Sequence, residues 1–210
     1  MAGFVDRYGP WAVVAGASEG IGASFSTKLA ARGMNLVLIA RRTEPLEALA
    51  SELRAIHPVE IRVHSLDLGQ ADSVSGMRDA TESLDVGLLI YNAAYSPIGT
   101  FLEIDVEEHL KAVDVNVLGP LRMSHYFGRR FAQRGRGGII LMSSMSGLQG
   151  TAMVANYAAT KAYDAILAEG LWYELREQGV DVLGCLAGAT LTPNCLMLCI
   201  SWAGEMRLVS

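Results

Sequence analysis

The sequence predicts an α/β protein in which a doubly wound parallel sheet lies between two layers of helices. Strand-like stretches alternate with helical stretches about six times along the 210 residues. Parallel neighbours need long crossover connections, which helices usually supply, so this alternation favours a parallel sheet covered on both faces. Turns rich in glycine and proline fall between the elements, and no linker or internal repeat divides the chain. We therefore expect one domain.

Six stretches have the composition of strands. The stretches 11–15 and 86–91 are apolar throughout, as strands buried on both faces are. Apolar and polar residues alternate in 59–66, which is typical of a strand with one solvated face. The expected strands are 11–15, 36–40, 59–66, 86–91, 138–142 and 180–186.

Helical stretches separate these strands. The side chain of Thr43 can cap the second helix, and Gly33 is a suitable stop for the first. Gly119-Pro120 is expected to interrupt the long helical stretch before the fifth strand. The expected helices are 23–32, 43–57, 70–84, 106–134 and 152–178.

Composition argues against several functional classes. The net charge of −5 offers nothing to bind a phosphate backbone, and the arginines within 129–136 suit a solvated helix end better than a nucleic-acid patch. Three cysteines without a disulfide framework favour a reducing compartment, and no signal peptide opens the chain, so we expect a cytoplasmic protein. Cys195 and Cys199 lack nearby histidines, so no metal site is expected. The apolar stretch 195–200 is too short to span a membrane, and no membrane partner is expected.

A glycine-rich turn follows the first strand, at the edge of the sheet where open parallel sheets bind their ligands. Gly16, Gly20 and Gly22 have the spacing G-x-x-x-G-x-G between that strand and the next helix. Glycines let the backbone approach a pyrophosphate closely, and the helix N-terminus attracts its charge. The spacing in this context indicates a dinucleotide site.

The residues after the second strand bear on which dinucleotide binds. An acidic residue there would accept hydrogen bonds from a free ribose hydroxyl, whereas an arginine would neutralise a 2′-phosphate. The sequence has Ala40 followed by Arg41 and Arg42, which favours NADP. Glu19 argues for NAD if its carboxylate faces the same phosphate.

The ends of the third, fourth and fifth strands also carry candidate residues. Asp67 follows the third strand and could meet an adenine edge or cap a helix. Asn92-Ala93-Ala94 supplies small residues beside which a cofactor could pass. Ser143 and Ser144 follow the fifth strand as candidate substrate contacts.

Tyr157 and Lys161 lie four residues apart in a predicted helix, so they share one face and are one turn apart. A phenol has a reference pKa of about 10, and a nearby ammonium lowers that pKa by favouring the phenolate. Such a pair suits proton transfer. An isolated pair is more often ordinary helix surface, so this interpretation depends on the rest of the chain.

In order and spacing these residues resemble the short-chain dehydrogenases/reductases of the common short subtype. The resemblance rests on G-x-x-x-G-x-G, Asn92-Ala93-Ala94, Asn116, Ser144 and Tyr-x-x-x-Lys, and it extends over about 8–193. It implies a Rossmann-like sheet with the strand order 3-2-1-4-5-6. It also implies hydride transfer between NADP(H) and a small carbonyl or secondary alcohol substrate, with NAD as a possible cofactor.

The resemblance assigns a role to each residue of the site. Tyr157 would be the general acid in carbonyl reduction and the base in alcohol oxidation. Lys161 would hold the nicotinamide ribose and lower the pKa of Tyr157. Ser144 would hydrogen-bond the substrate oxygen, and Asn116 would hold a water that links Lys161 to solvent. The expected cofactor-binding residues are Gly16, Ser18, Glu19, Gly20, Ile21, Gly22, Arg41, Arg42, Asp67, Leu68, Asn92, Ala93, Ala94, Tyr157, Lys161, Gly188, Thr190 and Thr192.

The chain departs from the family pattern in three places. Ala94 stands where a glycine is usual, and Ala187-Gly188 stands where Pro-Gly is usual. The family usually continues with a substrate-binding helical segment, another helix and a seventh strand, which 194–210 does not resemble. We therefore expect a catalytic domain over 1–193, a divergent or truncated tail over 194–210, and no seventh strand. The alternative is a cofactor-binding protein whose turnover is impaired because that segment is missing.

The two longest helices carry more apolar residues than one face of a sheet needs. The subunits of the resembling family commonly pair through these helices with twofold symmetry, so a homodimer is expected. Their tetramers use the last strand, so no stable tetramer is expected. The alternative is that all of these side chains face the sheet. The residues concerned are Met123, Phe127, Phe131, Ile166, Leu167 and Trp172.

Overall fold

The structure of the chain, a computed structural model, describes residues 3–188 and 190 and is built around a sheet of six strands. The strands are β1 (Trp11–Ala15), β2 (Asn35–Ala40), β3 (Ile61–Ser65), β4 (Val86–Tyr91), β5 (Gly137–Ser144) and β6 (Val180–Ala187). All neighbouring strands are parallel, in the order β3-β2-β1-β4-β5-β6. The predicted Rossmann-like sheet is confirmed, including its strand order. The tail 194–210 and the expected lack of a seventh strand concern residues outside the described part.

Helices cover both faces of the sheet. They are α1 (Phe4–Tyr8), α2 (Gly20–Ala30), α3 (Thr43–Ile56), α4 (Ser73–Thr81), α5 (Val106–Val113), α6 (Gly119–Arg134) and α7 (Ala155–Leu175). A π-helical turn over Asp114–Leu118 joins α5 to α6. Short 3₁₀ turns over Met145–Leu148 and Arg176–Gln178 flank α7. Apolar side chains of α4, α6 and α7 pack on one face, and those of α1, α2 and α3 pack on the other.

The predicted elements exist, but several of their ends differ. Thr43 is the first residue of α3 rather than its cap, and its predecessor Arg42 makes no side-chain cap. The long helical stretch changes at the π turn, before Gly119-Pro120, instead of at that dipeptide. Pro120 lies in the first turn of α6, which continues directly from the π turn, where the N–H of Gly119 donates to the carbonyl of Asp114. The short helix α1 was not predicted.

The apolar residues of α6 that were expected on its surface lie in the core. Met123, Phe127 and Phe131 are fully buried against the sheet, so the expectation of spare apolar surface is wrong for them. Ile166 and Trp172 on α7 are exposed, as a docking surface would require. The two helices therefore differ, because α6 turns its aromatic stripe inward.

Arg130 and Arg134, near the end of α6, bind backbone carbonyl groups instead of facing solvent as predicted, whereas Arg129 is exposed. Arg130 Nη2 donates to the carbonyl of Leu84 at 2.8 Å, and Arg134 Nη1 donates to that of Val86 at 3.0 Å. Burial is the main reason that the pKa of Arg134 is lowered. These two guanidinium groups thus tie α6 to the segment that enters β4.

Tyr91, the last residue of β4, supports the π turn that carries a predicted site residue. Its buried hydroxyl donates to the carbonyl of Val115 at 2.7 Å. Gly119 makes room for this hydroxyl, because a Cβ there would lie 1.9 Å from it. The turn that contains Asn116 is therefore anchored to the end of a central strand.

We expect Tyr91→Phe to lower the free energy of unfolding by about 1–3 kcal/mol, because a buried carbonyl loses its donor. Tyr173→Phe is the matched control, since Tyr173 is exposed on α7 and should change stability little. Urea unfolding followed by circular dichroism measures both variants. Equal stability of Tyr91→Phe and wild type would contradict the anchoring role.

Candidate active site

A cleft of about 910 Å³ opens at the carboxyl edge of the sheet. The predicted site residues that line it are Gly16, Ser18, Glu19, Gly20, Ile21, Arg41, Arg42, Asp67, Leu68, Asn92, Ala93, Ala94, Ser144, Tyr157, Lys161, Gly188 and Thr190. Gly22 and Asn116 are buried behind the wall of the cleft. Thr192 lies outside the described residues. The fold therefore gathers at one edge residues that are scattered over most of the sequence.

The glycine-rich turn has the shape that a pyrophosphate group needs. Gly16 has a φ of 79°, and a Cβ on it would lie 2.6 Å from the backbone of Ala93. A Cβ on Gly22 would lie 2.0 Å from the carbonyl oxygen of Gly16. Glu19 precedes α2 without capping it through its side chain, so the first N–H groups of α2, which begins with the cleft-lining residues Gly20 and Ile21, have no such partner. This turn fits the phosphates of a dinucleotide.

The end of β4 packs directly against this turn. The Nδ2 atom of Asn92 donates to the carbonyl of Gly16 at 2.9 Å, and the backbone N–H of Asn92 donates to that of Ala15 at 2.9 Å. Ala93 then touches Gly16 closely enough to exclude a side chain there. The packing of the two loops thus requires glycine at position 16.

The two arginines that follow β2 differ in their partners. Arg42 Nη2 lies 3.0 Å from Glu19 Oε2, so the carboxylate has a partner. Arg41 also lines the cleft and has no ion pair within the described part of the chain. Asp67 accepts a hydrogen bond from the backbone of Gly69 at 3.1 Å, and α4 begins only at Ser73, so Asp67 is not a helix cap.

Tyr157 does not have the lowered pKa that its spacing from Lys161 predicts. The pKa of Tyr157 is raised, first because the phenol is largely buried. A hydrogen bond with Ser144 opposes this shift, and the charge of Asp164 adds to it. The Nζ atom of Lys161 lies 6.0 Å from the centre of the Tyr157 ring. The phenol is therefore held in its protonated form at neutral pH.

Lys161 is held by two partners inside the protein. Its Nζ atom donates to the carbonyl of Met142 at 2.7 Å and to Asp164 Oδ2 at 2.9 Å. Both charged side chains of this pair are buried. The sequence analysis missed Asp164, although an acid three residues after Lys161 on a helix is close enough to pair with it.

The two serines at the end of β5 face different partners. Ser143 Oγ donates to the backbone carbonyl of Lys161 at 2.6 Å, which ties β5 to α7. Ser144 Oγ accepts from the N–H of Ser146 at 3.2 Å and reaches the Tyr157 phenol. Ser144 is thus the serine placed to contact a substrate beside Tyr157.

Asn116 is fully buried in the π turn and joins two parts of the site. Its Oδ1 accepts from the N–H of Tyr95 at 2.8 Å. Its Nδ2 donates to the carbonyl of Tyr95 at 2.8 Å and to Thr160 Oγ1 at 3.0 Å. Both N–H groups of the amide are used in this way. The side chain therefore clamps the loop after β4 to the residue beside Lys161.

Several residues that line the cleft were not predicted. Most of them lie in the loops after β4 or β5, so their position after a strand could have identified them. One lies just before α7. The larger of them supply apolar surface beside Ser144 and Tyr157. They are Tyr95, Ser96, Ile98, Met145, Ser146 and Val154.

A dinucleotide turn, a tyrosine–lysine pair on a helix and a serine beside the phenol together define a nicotinamide-dependent oxidoreductase. The short chain dehydrogenase family model matches residues 10–196, and the chain belongs to that family. It is therefore an enzyme that transfers a hydride between a nicotinamide cofactor and a carbonyl or alcohol substrate. In this class the cofactor carries the hydride, and the protein supplies orientation and the proton.

Known relatives agree with this assignment. The chain is 37% identical over 193 residues to the 7beta-hydroxysteroid dehydrogenase of Clostridium sardiniense, covering 92% of this chain and 74% of the relative. A solved 7beta-hydroxysteroid dehydrogenase structure matches with a TM-score of 0.89 and 36% identity, over 94% of this chain and 76% of that one. A short-chain dehydrogenase from Sphingobium yanoikuyae in complex with NADPH matches with a TM-score of 0.83 and 32% identity, over 87% and 72%.

In residues 3–188 and 190, no three histidine, cysteine, aspartate or glutamate side chains are grouped so that they could bind a metal ion. None of the helices in that part of the chain combines the length and the apolar character needed to cross a bilayer.

Proposed function

We propose that the chain is an NADP(H)-dependent enzyme that interconverts a bulky ketone and the corresponding secondary alcohol. The observation that carries this proposal is the placement of Tyr157, Ser144 and Lys161 along one cleft with the dinucleotide turn. An enzyme with impaired turnover, the alternative raised by the tail, is not favoured, because all three side chains reach the cleft. The cytoplasmic location stays a prediction.

Each residue of the cleft is assigned a separate role in the proposed reaction. When bound, the nicotinamide supplies the hydride in reduction and accepts it in oxidation. Tyr157 gives its phenolic proton to the substrate oxygen in reduction and takes it back in oxidation. Ser144 hydrogen-bonds that oxygen and orients it toward the phenol. Lys161 has three N–H donors and uses two inside the protein, which leaves one for the cofactor ribose. Asn116 fixes the wall of the cleft, and its part in a water relay stays a prediction.

The preference for NADP(H) is proposed from the charges at the end of β2. Glu19 is paired with Arg42, so its carboxylate repels a 2′-phosphate less than a free carboxylate would. Arg41 lines the cleft and presents a guanidinium that suits a phosphate. No acid occupies the position of Ala40, where a carboxylate would select a free ribose hydroxyl.

The proposed substrate is bulky and largely apolar. Ile98, Met145 and Val154 line the cleft that contains Ser144 and Tyr157. Such side chains favour an apolar ligand whose single polar group is the reacting oxygen. The relatives named 7beta-hydroxysteroid dehydrogenase support a steroid-like alcohol or ketone as the first class to try.

A twofold homodimer is proposed on the exposed apolar side chains of α5 and α7, which pack side by side. Exposed apolar residues on adjacent helices favour burial against a second copy of the chain. Those available for the contact include Val106, Leu110, Ile166, Trp172 and Tyr173. The lack of a stable tetramer stays a prediction.

Tyr157→Phe is expected to lower kcat by about 10²–10⁴-fold, because the variant keeps the ring and loses the proton donor. NADPH affinity should stay close to that of wild type. The assay follows NADPH consumption with a panel of bulky ketones that includes oxosteroids. Tyr163→Phe, on the same helix and away from the cleft lining, is the matched control. Wild-type rates in Tyr157→Phe would exclude the phenol as the acid.

Wild type is expected to bind NADPH at least about tenfold more tightly than NADH, since a charge-assisted contact contributes about 1.5–3 kcal/mol. Arg41→Ala should remove most of that preference and leave NADH affinity unchanged. Fluorescence titration of both cofactors gives the dissociation constants, and Arg54→Ala, on the surface of α3, serves as the control. Equal affinities in wild type would refute the assignment of NADP.

Ile166→Glu is expected to convert the dimer to a monomer at micromolar concentration, because it places a charge in the apolar contact. Ile166 is 68% exposed in the single chain, so the substitution should not affect folding. Ile56→Glu is the matched control, because Ile56 is 71% exposed at the end of α3, away from the contact. Sedimentation analysis measures both. A monomeric wild type, or an unchanged Ile166→Glu dimer, would remove α7 from the interface.

A further inference from the structure

Asp164 is a buried carboxylate that none of the proposed catalytic steps uses. It is 1% exposed and lies one turn beyond Lys161 on α7. Its Oδ2 atom accepts from Lys161 Nζ at 2.9 Å, and its Oδ1 atom has no hydrogen-bond partner among the described residues. Half of this carboxylate is therefore desolvated without compensation, which is a feature that stability alone does not favour.

A buried ion pair costs desolvation energy for both partners, and a well-packed apolar pair is often as stable. Lys161 itself has a role that requires a charge, because it faces the cofactor side of the cleft. Asp164 supplies the counter-charge for that buried ammonium, together with the carbonyl of Met142. The carboxylate is thus explained by the function of its partner.

By their signs, the charges of Lys161 and Asp164 are expected to affect the ionisation of Tyr157 in opposite directions. An ammonium near a phenol favours the phenolate, whereas a carboxylate disfavours it. The charge of Asp164 contributes to the raised pKa of Tyr157, after burial of the phenol. Burial also raises the pKa of Asp164 itself, and Lys161 opposes that shift.

Other titratable groups surround this cluster. Tyr91 from β4 and Tyr163 from α7 both have raised pKa values to which the charge of Asp164 contributes. Asp67 and Arg122 act on Tyr91 in opposite directions. His109 of α5 lines a small pocket with Tyr157.

We propose that Asp164 is a positioning residue that anchors Lys161 and offsets its charge, so that Tyr157 keeps its proton to higher pH and carbonyl reduction continues there. The inference rests on the proposed roles of Tyr157 and Lys161. Without the carboxylate, the ammonium acts on the phenol unopposed. Asp164 Oδ2 lies within about 9 Å of the centre of the Tyr157 ring, because it is 2.9 Å from Lys161 Nζ, which is 6.0 Å from that centre. A unit charge at about 9 Å changes a titration midpoint by about one pH unit when the effective dielectric constant is about 20.

The test measures the phenol directly and needs no substrate. Ultraviolet difference titration of the cofactor-free protein, with the curve of Tyr157→Phe subtracted, isolates the ionisation of Tyr157. In Asp164→Asn the midpoint is expected about one pH unit below that of wild type. Glu169→Gln, which removes an exposed carboxylate on the same helix, should leave it unchanged. An unchanged midpoint in folded Asp164→Asn would overturn the proposal.

A second variant covers the case in which Asp164→Asn does not fold. Lys161→Gln combined with Asp164→Asn removes both charges and leaves no unpaired one. If the effects of the two charges on Tyr157 largely cancel in wild type, the phenol of the double variant should titrate within about half a pH unit of wild type. A midpoint one unit or more above that of wild type would mean that Lys161 acts unopposed in wild type, and that result contradicts the proposal.

The pH dependence of the reduction rate then tests whether the ionisation of Tyr157 controls the reaction. Reduction requires the protonated phenol, so the rate falls as pH rises through the pKa of Tyr157. In Asp164→Asn this fall in rate at alkaline pH should occur about one pH unit lower than in wild type, as the midpoint of the phenol titration does. If wild type reduces no ketone, the proposed function fails while the titration still decides the role of Asp164. If the titration midpoint moves but the reduction rate of Asp164→Asn falls at the same pH as that of wild type, Asp164 does not influence the reaction through Tyr157.

Discussion

The site depends on the docking of α7 onto the end of β5 through Lys161. The backbone carbonyl of Lys161 accepts from Ser143, and its ammonium donates to the carbonyl of Met142. Gly147 lets the turn after β5 touch the helix, because a Cβ there would lie 2.7 Å from the backbone of Lys161 and Ala162. One residue thus fixes the helix along the strand with its main chain and its side chain. The relative positions of Tyr157 and Ser144 follow from this contact.

The two halves of the cleft are built by different physical means. On the cofactor side, backbone shape is decisive, because Gly16 and Gly22 pack too closely against neighbouring atoms to carry a side chain. On the catalytic side, buried polar groups are decisive, since Lys161 and Asp164 are held by charge and hydrogen bonds. The cofactor side therefore tolerates few changes in side-chain volume. The second half tolerates few changes of charge, because a buried charge without its partner is costly.

The sequence could predict the parts of the structure that have a local cause. β1 and β4 were predicted to the residue, because strands buried on both faces are apolar throughout. The turn residues of the dinucleotide site were predicted because glycine spacing is local. The π turn was not predicted, since it depends on the hydroxyl of Tyr91, far away in sequence. The partners of Asn116 and the raised pKa of Tyr157 were missed for the same reason: both depend on which groups the fold buries together.

The clamp made by Asn116 has a mechanical consequence for the mouth of the cleft. Tyr95 is bonded through both its N–H and its carbonyl to one side chain, which also holds Thr160 beside Lys161. To swing Tyr95 outward would break buried hydrogen bonds, at about 1–3 kcal/mol for each group left without a partner. These bonds tie the backbone at Tyr95 to the helix that carries the lysine, so this part of the rim of the cleft is held by the same side chain as the catalytic wall.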